Sequence, residues 1–184
     1  MKYGLATGKL LLAEPFMLDE NFKRAVILLC DYHHEGSLGF IVNKPLGIKV
    51  HELLEGFPDE SIELYFGGPV SQDTIHFIHT KGDLIEDSME IADGIFWGGD
   101  FERVQFLLNH QVITPEDIRF FIGYAGWSPG QLEAEMAYKS WVTAHLDKNF
   151  IFKDYDERLW SEVLHQKGGH YEVIANISDF ENLN

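Results

Sequence analysis

The sequence predicts an α+β domain built on a mixed sheet, and three observations carry that prediction. Short apolar segments bounded by turn residues dominate the first half of the chain. One of them, Ala25 to Tyr32, is a nearly continuous apolar run, the mark of a strand covered on both faces. The firmer helical signals fall in the second half, so strands and helices mix without the strict alternation of a doubly wound fold.

Taken in order, Gly8 to Ala13 reads as a strand that stops at Glu14-Pro15, and residues 19–22 read as a single turn of helix or a loop. Ala25 to Tyr32 and Leu38 to Val42 form a hairpin around His33-His34-Glu35-Gly36-Ser37. Val50 to Leu54 starts a short helix. Ile62 to Phe66 and Thr74 to His79 are strands separated by Gly67-Gly68-Pro69-Val70, a punctuation too tight for regular structure. Asp100 caps a helix that buries Phe101, Val104 and Leu108 and ends near Asn109. Ile118 to Tyr124 is a further apolar strand. Ser128 then serves as N-cap of a helix with Pro129 at its first position and Gln131 completing a capping box. A last helix, about Asp156 to Gln166, places Tyr155, Leu159, Trp160, Val163 and Leu164 on one stripe. Gly168-Gly169 ends it, and Tyr171 to Ala175 follows as an edge strand.

The 184 residues carry 14 basic and 30 acidic side chains, a net charge of -16. The imbalance is uneven: residues 1–50 hold six Lys or Arg against five acids, residues 51–184 eight against 25. Duplex DNA and anionic membranes are repelled by the larger part, because their binding rests on neutralising phosphates. Nucleic acid and membrane are therefore not expected partners. No run of residues has the length of a membrane span or a signal h-region. One cysteine excludes a disulfide framework and a multi-thiolate metal site, and it suits a reducing cytoplasm.

The sharpest chemical motif is Gly126-Trp127-Ser128-Pro129-Gly130, which fits the G-x-S-x-G nucleophile elbow between a strand and a helix. A serine hydrolase using Ser128 is the alternative this motif raises. The elbow takes an oxyanion donor from the residue after the serine, and Pro129 has no N–H to give. A helix cap explains the same residues, so the cap is preferred. Glu133 and Glu135, two apart on a helix, do not face each other, and they are assigned to stabilising their own first turn. His76 and His79 point to opposite faces of one strand, His33 and His34 share that difficulty in a turn, and His165 and His170 flank a diglycine. Asp154 to Glu157 lacks the spacing of a calcium loop. Cys30, inside an apolar strand, reads as a small buried hydrophobe. Walker and dinucleotide fingerprints are missing from the sequence. No catalytic residue, metal or cofactor is assigned.

Taken together the motifs resemble the AlgH-like (YqgE-like) proteins of bacteria. The residues that carry the resemblance are Gly8 to Pro15 with Met17, Phe22-x-Arg24, Gly39 to Leu46, Phe66 to Val70, Gly98 to Phe101, and Gly123 to Trp127 with Pro129 to Glu133 and Glu135. It runs over nearly the whole chain, so residues 1–184 are expected to form a single AlgH-like domain. The resemblance implies a mixed sheet curled into a partly closed barrel with helices packed outside. Some relatives carry a transcriptional-regulator label, which the charge of this chain does not favour. If the blocks converge, Asn43, Gly67, Gly68, Pro69, Tyr124, Trp127, Gln131 and Glu135 would line one cleft for a small molecule or a protein partner. The expectation is therefore a cytoplasmic, non-catalytic binding or regulatory module.

Overall fold

A computed structural model describes residues 2–58, 62–145, 147, 151–152 and 158–180. Ten strands are present among them: β1 (Leu10–Ala13), β2 (Val26–His33), β3 (Gly36–Ile41), β4 (Pro45–Lys49), β5 (Glu63–Phe66), β6 (Val70–His79), β7 (Met89–Ala92), β8 (Ile95–Trp97), β9 (Ile118–Trp127) and β10 (Trp141–Ala144). Five α-helices accompany them: α1 (Val50–Leu53), α2 (Phe101–Asn109), α3 (Gln131–Ala137), α4 (Arg158–Lys167) and α5 (His170–Phe180).

The main hydrogen-bonded path runs β10-β1-β2-β3-β9-β6-β8-β7. Its pairs are antiparallel, while β5 joins β9 in parallel and β4 pairs with β5, so the sheet is mixed as expected. The path does not close. The implied barrel is thus corrected to an open sheet ending at β10 and β7. The lead-in to β1 nevertheless comes near β7, since a Cβ on Gly8 would lie 2.5 Å from the Ile91 carbonyl oxygen.

Strand β2 shows why the apolar runs form a two-sided sheet. Val26, Leu28 and Cys30 enter one core cluster, while Ala25, Ile27 and Leu29 enter another, as period-two alternation demands. The first cluster is completed by Leu159, Trp160, Val163 and Leu164 of α4, and Trp160 Nε1 donates to the Ala13 carbonyl at 2.9 Å. On the opposite face, Leu132 and Met136 of α3 cover the β1–β3 end. Val104, Leu107 and Leu108 of α2 cover β5, β6 and the first half of β9.

Asp100 caps α2, its carboxylate accepting the Arg103 N–H at 3.0 Å, as predicted. Phe101 is not buried there. At 38% exposure it lies at the rim against Phe57 and Phe77, because the first turn overhangs the sheet. The expected edge strand at Tyr171 to Ala175 is instead part of α5. Gly168 and Gly169 both take positive φ and re-aim the chain, after which Tyr171, Ile174 and Ala175 meet the core at helical spacing. Strands β4, β7, β8 and β10 add to those expected. Tyr155 and the Asp154 to Glu157 turn lie outside the described residues.

Candidate functional site

Strand β9 organises the region that the motifs single out. One edge of β9 pairs with β6, in register from Ile118 opposite His79 to Ile122 opposite Ile75 and then, past an irregularity, at Tyr124 opposite Val70. The other edge changes partner. Phe120, Phe121 and Ile122 pair with β5, whereas Ala125, Gly126 and Trp127 pair with β3. The hand-over falls at Gly123, where φ is +66°. There the chain leaving β5 crosses: Gly67 N–H donates to the Ile122 carbonyl at 2.8 Å, and its own carbonyl accepts the Ile41 N–H at 2.9 Å. A Cβ on Gly67 would lie 2.2 Å from the Gly123 carbonyl oxygen. One on Gly68, at φ +153°, would lie 2.2 Å from the Tyr124 carbonyl carbon. Backbone approach this close requires glycine.

Gly67, Gly68, Pro69 and Tyr124 are thereby brought together. The half-buried Tyr124 ring stands 5.9 Å from His76, edge to face, and His76 lies 5.2 Å from Phe40. Trp97 packs on the same Phe40 at 5.8 Å. Burial holds the His76 imidazole below its ordinary pKa. His76 and Trp97, which sequence reasoning did not place here, thus join Tyr124 in one aromatic group with polar tips. Only the alternation of β6 signalled the position of His76.

Trp127 lies on the other face of the sheet, because it is three residues from Tyr124 along a strand. Here the structure gathers Trp127, Gln131 and Glu135, together with Trp141 from β10. Glu135 Oε2 accepts both indole N–H groups, from Trp127 at 2.9 Å and Trp141 at 2.7 Å, and Oε1 accepts Gln131 Nε2 at 2.9 Å. Glu133 accepts the Tyr32 hydroxyl at 2.7 Å, which raises the pKa of that tyrosine. These carboxylates therefore pin α3 to the sheet, where first-turn stabilisation was expected of both.

Ser128 is not the cap of α3. The N-cap is Gly130 in the left-handed conformation, with no side-chain cap bond. Half of the predicted capping box survives, since Gln131 Oε1 accepts the Ser128 N–H at 2.9 Å. Helix α3 starts later because Ser128 to Gly130 are needed as a turn after β9, which extends to Trp127. The strand–turn–helix context of a nucleophile elbow is thus present. The Ser128 N–H, however, is occupied and Pro129 has none to offer.

Asn43 stands apart from both groups. It is fully buried, its Oδ1 accepting the Val26 N–H at 2.8 Å and its Nδ2 donating to the Arg24 carbonyl at 2.9 Å. It secures the lead-in to β2, where Arg24 takes φ +53°. His79 is buried between two partners. Its Nδ1 accepts the Lys81 N–H at 3.1 Å and Nε2 meets the Gly98 carbonyl at 3.0 Å, a pattern satisfied by the neutral Nε2–H tautomer. Burial lowers its pKa, the Gly98 bond opposing. Burial raises the Cys30 thiol well above its ordinary pKa, Asp31 adding to the shift. Among the described residues no three His, Cys, Asp or Glu gather as a metal set, and no helix is long and apolar enough to cross a membrane.

Fold and site define an α+β protein whose open mixed sheet branches at a glycine hand-over, with an aromatic group on one face and a carboxylate–indole clamp on the other. The chain belongs to the AlgH-like family, whose profile matches residues 10–172. It is 49% identical over 180 residues to a UPF0301 protein of Pelodictyon phaeoclathratiforme, covering 98% of this chain and 96% of that one. The same figures hold for a UPF0301 protein of Chlorobium limicola. The solution structure of AlgH from Pseudomonas aeruginosa superposes with a TM-score of 0.72 at 28% identity, covering 91% and 92% of the two chains. A crystal structure of a Corynebacterium diphtheriae protein shares the fold, with TM-score 0.75 at 22% identity over 93% and 92%.

Proposed function

We propose that the chain is a non-catalytic binding or regulatory module, in the cytoplasm, that takes a small molecule or protein partner where Gly67 to Val70 meets Gly123 to Trp127. One observation carries the reading. Tyr124, His76 and Trp97 form a half-buried aromatic group around Phe40, beside a loop pressed onto the strand backbone. Such a surface offers large ring area with few conformations to lose, and a polar tip on each ring to fix orientation. Asn43, Trp127, Gln131 and Glu135 serve it indirectly, by holding β2 and α3 against the branched sheet. A hydrolase draws no support from Ser128: its own N–H is held by Gln131, and Pro129 after it has none to give an oxyanion.

The test is purification of the tagged chain from its own cells, beside Tyr124→Ser and His76→Ala variants, with identification of co-purifying small molecules and proteins. A ligand or partner recovered with the wild type and lost with both variants is the expected result. Equal recovery from all three, repeated recovery of nothing, or turnover in a broad substrate screen would overturn the proposal.

A further inference from the structure

We propose that the recess between the N-terminal turn, β10 and the end of α4 binds a phosphate group, free or as the head of a small phosphomonoester. The proposal is independent of the aromatic face above. The recess encloses about 300 Å³, and Lys9, His145, Gln166 and Lys167 bring polar groups to it beside buried Val163. That volume stands at the lower end of the range for small-ligand sites and leaves room for part of an ester's organic group.

Charge gives the recess its character. With a net charge of -16, carboxylates are abundant, and Lys49 and Lys81 are each held by one, Glu63 and Asp117. Lys9 and Lys167 have no carboxylate partner among the described residues. Lys9 Nζ donates to His145 Nδ1 at 3.0 Å, and Lys167 Nζ donates to the Thr143 carbonyl at 2.8 Å. Each ammonium thus spends one of its three N–H groups on a neutral acceptor, and that of Lys167 also lies 5.2 Å from the centroid of the Tyr171 ring. Accepting at Nδ1 makes His145 the neutral tautomer with its proton on Nε2, a further donor. The Gln166 amide adds another. Among the described residues no carboxylate side chain lines the recess. A site of several donors with two ammonium groups that no described carboxylate neutralises favours a multiply charged anion, and ammonium groups suit phosphate as point charges.

The fold explains how the donors meet. Leu10 pairs with Ala144 in the β1–β10 ladder, which sets Lys9 beside His145 at the next step. Helix α4 ends at Lys167, where a cation ordinarily stays near its own last carbonyls. Here the side chain crosses to β10 instead. A simple tether between α4 and the edge strand would need one lysine. It would not turn a second one toward a neutral imidazole.

The test follows amide shifts of the isotope-labelled chain during titration with inorganic phosphate, with glycerol phosphate, and with chloride at matched ionic strength. Wild type is compared with Lys9→Gln, Lys167→Gln and the double variant, and melting temperatures are measured without phosphate. Saturable shifts at Lys9, Thr143, His145, Gln166 and Lys167 are expected with phosphate or its ester and not with chloride. Losing one charge-assisted bond should weaken binding about tenfold per single variant, and the double variant should not bind. Tighter binding of glycerol phosphate assigns the recess to a phosphomonoester, and tighter inorganic phosphate to the free ion. No saturable shift, an equal response to chloride, or unchanged affinity in the double variant would overturn the proposal. If Lys167→Gln fails to fold, unchanged affinity in Lys9→Gln alone refutes it.

Discussion

Removing the Glu135 carboxylate should loosen α3 from the sheet, and its size can be worked from the clamp. Trp127 and Trp141 are 6% and 4% exposed, and both donate to the single oxygen Oε2. Glu135→Ala leaves two indole N–H groups that water reaches poorly. A buried donor left unpaired costs about 1–3 kcal/mol, so a total of about 3 kcal/mol is expected. For a chain of this length that corresponds to a fall in Tm of about 6–12 °C. Glu135→Gln keeps a carbonyl oxygen for both indoles and should cost about 1 kcal/mol, the difference between charged and neutral acceptors. Urea unfolding followed by tryptophan fluorescence measures both. A double-mutant cycle with Trp141→Phe isolates the bond from lost packing, and a coupling of about 1–2 kcal/mol is expected. Glu135→Ala within about 0.5 kcal/mol of wild type, or strict additivity with Trp141→Phe, would refute the clamp.

Three further outcomes follow from the same geometry. Gly68→Ala should destabilise by about 3 kcal/mol or more, because its Cβ meets the Tyr124–Ala125 backbone, whereas Gly130→Ala, at φ +77° in open space, should cost about 1 kcal/mol; urea unfolding of the pair decides. Ser128→Ala should change stability by less than about 0.5 kcal/mol, since no cap bond is lost, and fluorophosphonate should not label Ser128. Stoichiometric labelling there would revive the hydrolase. Burial depresses the pKa of His76 and His79, so below about pH 6.5 the unfolded chain binds protons that the folded chain resists. Stability should therefore rise with pH from the depressed folded values up to about 6.5, and His79→Gln should flatten the slope; a stability that falls over that interval would contradict the assignment.

What the sequence made legible was what local periodicity and turn chemistry determine. The two-sided burial of β2, the β2–β3 hairpin, the Asp100 cap and the amphipathic stripe of α4 all follow from residues close in the chain. The strands that escaped notice were short or weakly apolar. Strand β4 contains Pro45 and Gly47, and β8 is three residues long, so neither shows a usable alternation. Tyr171 to Ala175 was misread because five residues with β-formers satisfy either period, and only the core contacts of Ile174 and Ala175 select the helix. The site was legible as motifs and illegible as geometry. Tyr124 and Trp127 stand three apart in one block, yet a strand sends them to opposite faces. Glu135 reads as a first-turn residue of its own helix until Trp141, from a strand with little signal of its own, supplies the second indole.

The glycines of the motif blocks acquire a single physical explanation from β9. A strand interior can serve two partners on one edge only if the first leaves before the second begins, and the departing chain must cross at the junction. That crossing puts Gly67 and Gly68 against Gly123 and Tyr124 at distances no side chain survives, while the Gly67 N–H and carbonyl bridge β9 to β3. The Gly67-Gly68 pair and the distant Gly123 are therefore one requirement, the branching of the sheet. The aromatic group depends on it, because the hand-over sets the register that places Tyr124 opposite Val70 and beside His76. A substitution at Gly67 or Gly123 should consequently disturb His76 and Tyr124 even though it touches neither ring. Packing at Tyr124 and the architecture of the sheet are in this respect one property, and mutational effects on the proposed binding face must be read against stability measured in the same variant.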